Sequence, residues 1–471
     1  MCGLKPEIKF GTDGWRGVIS EDFTFENVRL VARAIADYYN RQTDSAGRKP
    51  VIAVGFDSRF LSDRYAVLVS EVLSENGIDV VLSDRVVPTP ALSFAVKHRK
   101  LTSGVVITAS HNPGEYNGIK IKTASGGAAG LEITKEVERL VSEAAPGQEK
   151  QPGKIEKVDL TRDYVKFLRG YINLKRLKNA RFRVLVDAMH GSGNSFIAEV
   201  LKGTKIKPEF LRADINPSFE GLRPEPVLEN LKITLEKMKK ERFDLGLVLD
   251  GDADRIAAFT GKGEFINPQK ILGLLILHLI QDRKESGSVV KTIVGSNLID
   301  NITKELGLNL YETPVGFKYI SELMLKEDIL VGGEEAGGIG FKNYIPERDG
   351  TLAGLLLLEM MVYRRKSIAQ ILTGMEKQFG RYYYLRDEVK LAKAGNIGLE
   401  SFKSTKEILG KAVARIDDSD GLKFICSDES WLMLRASGTE PIIRIYSESE
   451  SLNKSTKLIK FGKDLILNNA V

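Results

Sequence analysis

Thr108-Ala109-Ser110-His111-Asn112-Pro113 follows the β-branched run Val105-Val106-Ile107 and closes on a proline that cannot continue a ladder. Gly114, Asn117 and Gly118 then supply turn chemistry ahead of a second short strand, Ile119–Ile121. One loop at a strand end thus presents a hydroxyl, an imidazole, an amide and the Lys120 ammonium. Such a loop suits an activated serine, with Ser110 as nucleophile or phosphate carrier and His111 and Lys120 as proton-handling groups. The plain alternative is a turn whose serine and asparagine only satisfy backbone groups.

Asp250-Gly251-Asp252-Ala253-Asp254-Arg255 follows another apolar strand, Leu245–Leu249. Three carboxylates at alternate positions, with small residues between them, can converge on one hard cation when the strand end curls. Unpaired they would repel one another, so a cation or basic partners is the expected resolution. The remaining ligands of an EF-hand loop do not follow, which excludes that motif.

Further on, Gly332-Gly333-Glu334-Glu335-Ala336-Gly337-Gly338 sets two carboxylates among four glycines, which allow sugar hydroxyls a close approach. Arg435-Ala436-Ser437-Gly438-Thr439-Glu440-Pro441 combines arginine, hydroxyls and glycine-freed amides, a phosphate cradle in composition. Phe10–Gly17 is a turn-rich loop able to bring Arg16 near a ligand. His190-Gly191-Ser192-Gly193-Asn194 stands before a helix, where backbone amides can hold phosphate or simply turn the chain.

The elements that must position these loops alternate. A helix Phe25–Tyr39 capped by Thr24, a strand Val51–Val54 and a helix Ser62–Asn76 precede the Ser110 strand. Strand Asp79–Leu82 and a helix around Ala91–Val96 come between them and it. This is the alternation of an α/β sheet domain. The scheme recurs at Arg183–Leu249 and again from Gln269, where a helix to Asp282, a strand Val289–Val294 and a helix from Asn297 lead to Gly316-Phe317-Lys318. From about Tyr382 the order changes: strand-like Glu388–Leu391, a helix after Ser404, three strand runs, and a closing helix Lys454–Leu467 read as a small α+β domain. The polar segment Glu143–Lys154 marks a first boundary. The expected domains are 1–155, 156–264, 265–380 and 381–471.

A chain of 471 residues is too long for one ordinary core. With 69 basic residues against 63 acidic ones and no long single-sign block, nucleic acid is a poor partner and a local pocket for an anionic small molecule fits better. The most apolar runs, Ile271–Ile280 and Leu352–Val362, fall short of the roughly 20 residues a membrane span needs and read as buried helices. Two cysteines, Cys2 and Cys426, and no recognisable signal peptide point to a reducing, cytoplasmic setting.

The spelling adds to this. TASHNP followed by YNGIK closely resembles the active-site loop of the α-D-phosphohexomutases, the phosphoglucomutase and phosphomannomutase family. FGTDGWRG, DGDADR, GGEEAGG and RASGTEP resemble four further family motifs, in family order. The resemblance implies three related α/β units and a C-terminal α+β domain around a central cleft. It implies Ser110 carried as a phosphoserine, Lys120 as general base, and Arg16 and Arg255 near the transferring phosphate. Mg²⁺ would be bound by Asp250, Asp252, Asp254 and an oxygen of phosphorylated Ser110. Glu334, with Glu335, would read sugar hydroxyls. Arg435, Ser437, Gly438 and Thr439 would grip the non-reacting phosphate.

The implied reaction is reversible transfer of phosphate between O1 and O6 of a hexose phosphate, through a bisphosphorylated sugar that also serves as activator. Ala336 and Gly338 stand where dual-specificity and glucosamine-type members place a serine and a histidine. The Gly316-Phe317-Lys318 run resembles glucose-type members, so glucose phosphate is expected as best substrate, with Lys318 replacing the absent histidine. Mannose and glucosamine phosphates are the alternatives. A metal-dependent sugar-phosphate phosphatase and a non-catalytic binding paralogue are the other readings. Monomer and dimer both remain open, as does the acid/base assignment among His111, Lys120 and Lys318.

Overall fold

The run before Ser110 forms a strand, Ser103–Ile107, buried at every position. The computed structural model describes residues 8–11, 13–42, 47–143, 150–391, 398–436 and 442–468. They fall into two units, one of Met1–Gly287 with Gly316–Ile371, the other of Ser288–Val315 with Leu372–Val471.

The first sheet is built from β1 (Trp15–Val18), β2 (Val51–Phe56), β3 (Asp79–Ser83), β4 (Ser103–Ile107), β5 (Tyr116–Thr123) and β6 (Ile155–Val158), in the order β1-β5-β4-β2-β3-β6. Its middle strands are parallel, and β5 and β1 return antiparallel. Helices α1 (Phe25–Arg41), α2 (Ser62–Glu75), α3 (Thr89–His98) and α4 (Leu131–Ser142) cover it. The Thr24 hydroxyl accepts the Asn27 N–H at 3.1 Å and caps α1, as its sequence position predicts. Val105 and Ile107 of β4 pack in one core with Val69 and Leu73 of α2. Gly104, on the other face, lies against Leu92 and Val96 of α3. A strand covered on both faces has no polar side, which is why it reads as a continuous apolar run.

The second sheet follows α5 (Arg162–Tyr171) and α6 (Leu174–Leu177). It comprises β7 (Arg183–Asp187), β8 (Lys207–Leu211), β9 (Leu245–Leu249), β10 (Ile256–Thr260) and β11 (Phe265–Ile266), ordered β11-β10-β9-β7-β8, with α7 (Phe196–Leu201) and α8 (Lys232–Lys240). β9 is fully buried and parallel to β7, and β10 returns beside it antiparallel. The acidic run is therefore a tight turn between β9 and β10. After α9 (Pro268–Leu277), the second unit takes β12 (Ser288–Thr292), α10 (Asn297–Leu306) and β13 (Leu310–Thr313), the two strands pairing in parallel. The first unit resumes with α11 (Phe317–Lys326), β14 (Ile329–Gly333), β15 (Ile339–Phe341) and α12 (Gly350–Arg364), all twelve first residues of α12 through Met361 being buried.

After α13 (Ile368–Phe379), the C-terminal part of the second unit is an antiparallel sheet of β16 (Tyr383–Lys390), β17 (Glu407–Ile408), β18 (Lys411–Asp417), β19 (Leu422–Cys426), β20 (Trp431–Ala436) and β21 (Ile442–Ser449), ordered β16-β21-β20-β19-β18-β17. α14 (Leu452–Leu467) packs on it through Leu458, Ile459 and Ile466. The architecture is thus α/β units followed by an α+β domain.

Two expectations are corrected. The helix expected after Ser404 is a hairpin: Leu409 and Gly410 both take positive φ (51° and 76°), the left-handed pair that joins twisted antiparallel strands. The chain then alternates along β18 instead of coiling. The boundary expected at 155 moves beyond Val158, because Ile155–Val158 adds a parallel edge strand to the first sheet at β3. That strand is mostly exposed, so it carries no apolar signal.

Candidate active site

Ser110 sits just past β4 with φ 52°, a left-handed backbone that turns its side chain away from the strand direction. Its N–H donates to Thr108 Oγ1 at 2.9 Å, fixing the turn locally. Its hydroxyl donates to Asp250 Oδ2 at 3.1 Å and lies 3.4 Å from His111 Nδ1. Arg16, from the N-terminal loop, donates through Nη1 to Asn112 Oδ1 at 2.6 Å. The two sequence-distant loops therefore meet.

The acidic turn curls as its spacing allows. Ala253 takes φ 59°, its N–H donates to the Asp250 carbonyl at 3.1 Å, and the Arg255 N–H donates to Asp250 Oδ1 at 3.0 Å. Asp250, Asp252 and Asp254 are all buried, and each offers a carboxylate oxygen within 4.8 Å of the others. Lys120 Nζ bridges Asp252 Oδ2 at 2.7 Å, Asp254 Oδ2 at 2.9 Å and Asp13 Oδ2 at 2.8 Å. Both resolutions of the crowded carboxylates are thus prepared, a basic partner and a cation seat. Asp252 Oδ1 and Asp254 Oδ1 are buried without a hydrogen-bond partner, which is the condition of oxygens built to face a metal. An all-oxygen donor set of this charge fits Mg²⁺.

The electrostatics follow. Burial, then Asp254 and Asp252, push the Asp250 carboxyl well above its usual range. Burial also raises Asp252, but the Lys120 ammonium and the Thr89 hydroxyl outweigh it and hold that carboxyl below the ordinary value. Burial opposes the charge on Lys120, yet Asp13, Asp252 and Asp254 raise it well above an ordinary lysine.

The residues of the glycine-rich loop expected to read sugar hydroxyls join the same place. Arg255 and Gly338 form an isolated β-bridge, and the Ile256 N–H donates to the Gly337 carbonyl at 3.0 Å. The glycine-rich loop is therefore stitched to the metal turn. Glu334 and Glu335 are buried there. Burial raises the Glu334 carboxyl to about 7, with Arg348 opposing and Glu335 adding to the rise. Arg255 lies 3.7 Å from Glu225 and 3.9 Å from Asp254. Lys318, half-buried on α11, lines a small recess with Gly11 and Asp13.

Arg435 lies in the second unit, where its Nε donates to Asp420 Oδ2 at 2.9 Å. Ser437, Gly438 and Thr439 fall outside the described residues. In the Gly-Ser-Gly turn the Gly191 N–H donates to the Ala188 carbonyl at 2.7 Å and the Ser192 N–H to the Gly251 carbonyl at 2.9 Å, so these two amides are already taken. The Gly191 amide closes the local turn, and the Ser192 amide holds the acidic turn from behind.

Arg348 escaped the sequence reading. Its guanidinium contacts Asp13, lies 2.8 Å from Asp254 Oδ2 and 3.2 Å from Glu334 Oε2, and ties three loops. A Cβ on Gly338 would stand 2.1 Å from Arg348 Cδ, so the side chain missing at 338 makes room for this arginine. Asp13, Thr89 and Arg59 were also missed. Thr89, at the start of α3, donates its hydroxyl to Asp252 Oδ2 at 2.5 Å. Only the Thr-Pro helix start at Thr89 left a trace in the sequence, and it marks a helix, not a ligand.

Models of the four phosphoglucomutase/phosphomannomutase domains match the chain in order: the alpha/beta/alpha domains I, II and III at residues 7–147, 162–263 and 267–379, and the C-terminal domain at 388–460. The chain belongs to the phosphoglucomutase/phosphomannomutase family. It is a phosphohexomutase, an enzyme of the isomerase class. A Thermococcus kodakarensis protein named phosphoglucomutase/phosphomannomutase is 32% identical over 97% of this chain and 98% of its own. A Sulfurisphaera tokodaii phosphoglucosamine/phosphogalactosamine mutase is 30% identical over 97% and 98%. The crystal structure of a Thermus thermophilus protein, provisionally named a phosphomannomutase, superposes with a TM-score of 0.87 at 34% identity, covering 98% of this chain and 100% of that one. Among the described residues no helix is long and apolar enough to cross a membrane.

Proposed function

We propose that this phosphohexomutase interconverts glucose 1-phosphate and glucose 6-phosphate through phosphorylated Ser110, with mannose phosphate as a slower substrate. The observation that carries the phosphoserine reading is the Ser110 hydroxyl, buried and 3.1 Å from the first of three clustered aspartates.

A substrate hydroxyl attacks the phosphorus on Ser110; the Oγ–P bond breaks as the sugar O–P bond forms, and the hydroxyl proton passes through a base to the departing Oγ. The bisphosphorylated sugar then presents its other phosphate, which returns to Ser110 while the proton goes back to the departing sugar oxygen. Asp250, Asp252 and Asp254 would hold Mg²⁺ with an oxygen of the phosphoserine. Bound there, the ion would spread the charge of the transferring phosphoryl group and withdraw the counter-charge that keeps Lys120 protonated. Lys120 is the proton carrier this geometry favours over Lys318, since it sits among the aspartates that face Ser110. Arg16 and Arg255 flank the reacting phosphate. Glu334 and Glu335 take sugar hydroxyls, and Arg435 with Ser437, Gly438 and Thr439 grips the remote phosphate, converting its binding energy into positioning. A sugar 1,6-bisphosphate would recharge any enzyme that loses its phosphate.

The preference for a neutral sugar is supported by Arg348, whose charge beside Glu334 disfavours an ammonium at C2. The aminosugar reading is supported by seven relatives, the Sulfurisphaera protein among them, that are named phosphoglucosamine mutases. Intact mass of the purified chain, with the adduct localised to Ser110, and a coupled assay for glucose 6-phosphate test the mechanism. A stoichiometric release of inorganic phosphate in place of isomerised sugar would make the chain a phosphatase.

A further inference from the structure

Arg59 is a charged side chain with no solvent exposure, and it touches neither the aspartates nor the sugar loop. It comes from the turn after β2, where its N–H donates to Asp57 Oδ1 at 3.0 Å and α2 begins three residues later at Ser62. Its guanidinium is spent on the Ser110 loop. Nη2 donates to the carbonyls of Ser110 at 2.7 Å and Asn112 at 2.6 Å; Nη1 donates to those of Pro113 at 2.7 Å and Tyr116 at 3.0 Å. Four carbonyls of one loop therefore converge on a single planar fork. Nε lies 3.2 Å from Asp57 Oδ2, and the guanidinium carbon stands 4.8 Å over the ring of Phe219.

That arrangement does what the loop cannot do for itself. Carbonyls turned to one point repel each other, and a left-handed Ser110 is held only where its surroundings over-determine it. A guanidinium presents its donors in a fixed plane and can satisfy several carbonyls at once, whereas an ammonium is a point charge on a flexible stem. Fixing the Ser110 carbonyl fixes its backbone and so the Cα–Cβ direction from which the hydroxyl reaches Asp250. We infer that Arg59 is the positioning residue of the phosphoryl carrier: it holds the 110–116 loop so that Oγ stays aimed at the aspartates in both the hydroxyl and the phosphoester state. Phe219 and Asp57 in turn hold Arg59. The inference rests on Ser110 being the carrier.

The test is Arg59→Lys, compared with wild type by steady-state kinetics on glucose 1-phosphate and by the rate at which glucose 1,6-bisphosphate phosphorylates Ser110, read by intact mass. Misplacement of a reacting atom by about 1 Å costs on the order of 10²-fold in rate. The expected result is a fall in kcat of that size with KM within about threefold, and an equal fall in the Ser110 phosphorylation rate. Melting temperature and far-UV circular dichroism measure the folded fraction. Wild-type kcat in Arg59→Lys, a rise in KM with kcat unmoved, or a loss that only tracks the folded fraction would overturn the inference. Where Arg59→Lys does not fold, Phe219→Leu keeps the guanidinium but removes the ring beneath it. A smaller fall in kcat at unchanged KM supports the inference, and unchanged kcat overturns it. Absence of any phosphate on wild-type Ser110 would instead remove the carrier reading itself.

Discussion

The Ser110 carbonyl oxygen stands 2.3 Å from where a Cβ on Gly251 would be. The carrier loop and the metal turn, 140 residues apart, therefore meet backbone to backbone, and only glycine at 251 permits that approach. Neither neighbour can swing aside, because one is the main chain of Ser110 and the other is a Pro224 ring atom at 3.1 Å. Gly251→Ala is expected to push the loop off the aspartates, at a cost of about 1–3 kcal/mol in stability and tenfold or more in kcat. Denaturant unfolding alongside steady-state kinetics checks it. A variant as stable and active as wild type would show that the two loops do not depend on this contact.

Ser110→Ala removes the hydroxyl while leaving a residue of nearly the same size in the same left-handed turn. Turnover is expected to fall by on the order of 10³-fold or more, with the melting temperature little changed. The phosphate adduct should vanish from the intact mass. Near-normal turnover would end the phosphoserine mechanism.

Asp252→Asn takes a charge from the cation seat and from Lys120 at once. Mg²⁺ affinity should weaken by roughly 10- to 100-fold, visible by titration calorimetry without substrate. Chelator should inactivate the wild type and Mg²⁺ restore it. Full activity in excess chelator would leave the aspartates only their pairing with Lys120.

Glu334 gives a pH signature. Its carboxyl, ordinarily near 4.5, is raised to about 7 by burial, with Arg348 opposing. A raised folded value means that the neutral form is favoured by folding. That stability is fully present below about 4.5 and is lost as pH rises through about 7, by roughly 3 kcal/mol in all. Glu334→Gln cannot titrate, so its melting temperature relative to wild type should climb between pH 5 and 8. A constant difference across that range would show that Arg348 keeps the carboxylate ionised throughout.

The proposed phosphate carrier and cation seat stand out in the sequence where a short apolar strand delivers them. Ser110 and Asp250 each follow a fully buried strand, and such ends announce themselves by an abrupt change from apolar residues to polar ones. Arg348, Asp13 and Arg59 had no such sign. Each reaches its place through tertiary contact with loops 51 or more residues away, and an arginine in a turn looks the same in sequence whether it is solvated or clamps four carbonyls. The hairpin at Leu409-Gly410 was misread for a related reason: a leucine at positive φ leaves no mark in its own residue type. The two halves of the reading fail differently. Local patterns give elements, while partners of buried charge need the fold.

The sugar itself is the last expectation. Glucose and mannose differ only at C2, and one hydrogen bond there contributes about 0.5–1.5 kcal/mol, roughly a 2- to 13-fold preference. Glucosamine differs in charge as well. Arg348 stands 3.2 Å from Glu334 in the room left by Gly338, so the loop meets a C2 ammonium with a carboxylate already paired. Glucose 1-phosphate should therefore give the highest kcat/KM, mannose 1-phosphate a value lower by about that factor, and glucosamine 1-phosphate a poorer one. Gly338→Ala offers the internal check. Its Cβ would occupy the position 2.1 Å from Arg348 Cδ, so the arginine must leave Glu334, and discrimination against the aminosugar should narrow. Equal or better kcat/KM for glucosamine 1-phosphate with the wild type would assign the chain to the aminosugars. Phosphate on Ser110 would still stand, because the Ser110 loop and the glycine-rich loop are separate groups that each contact the acidic turn.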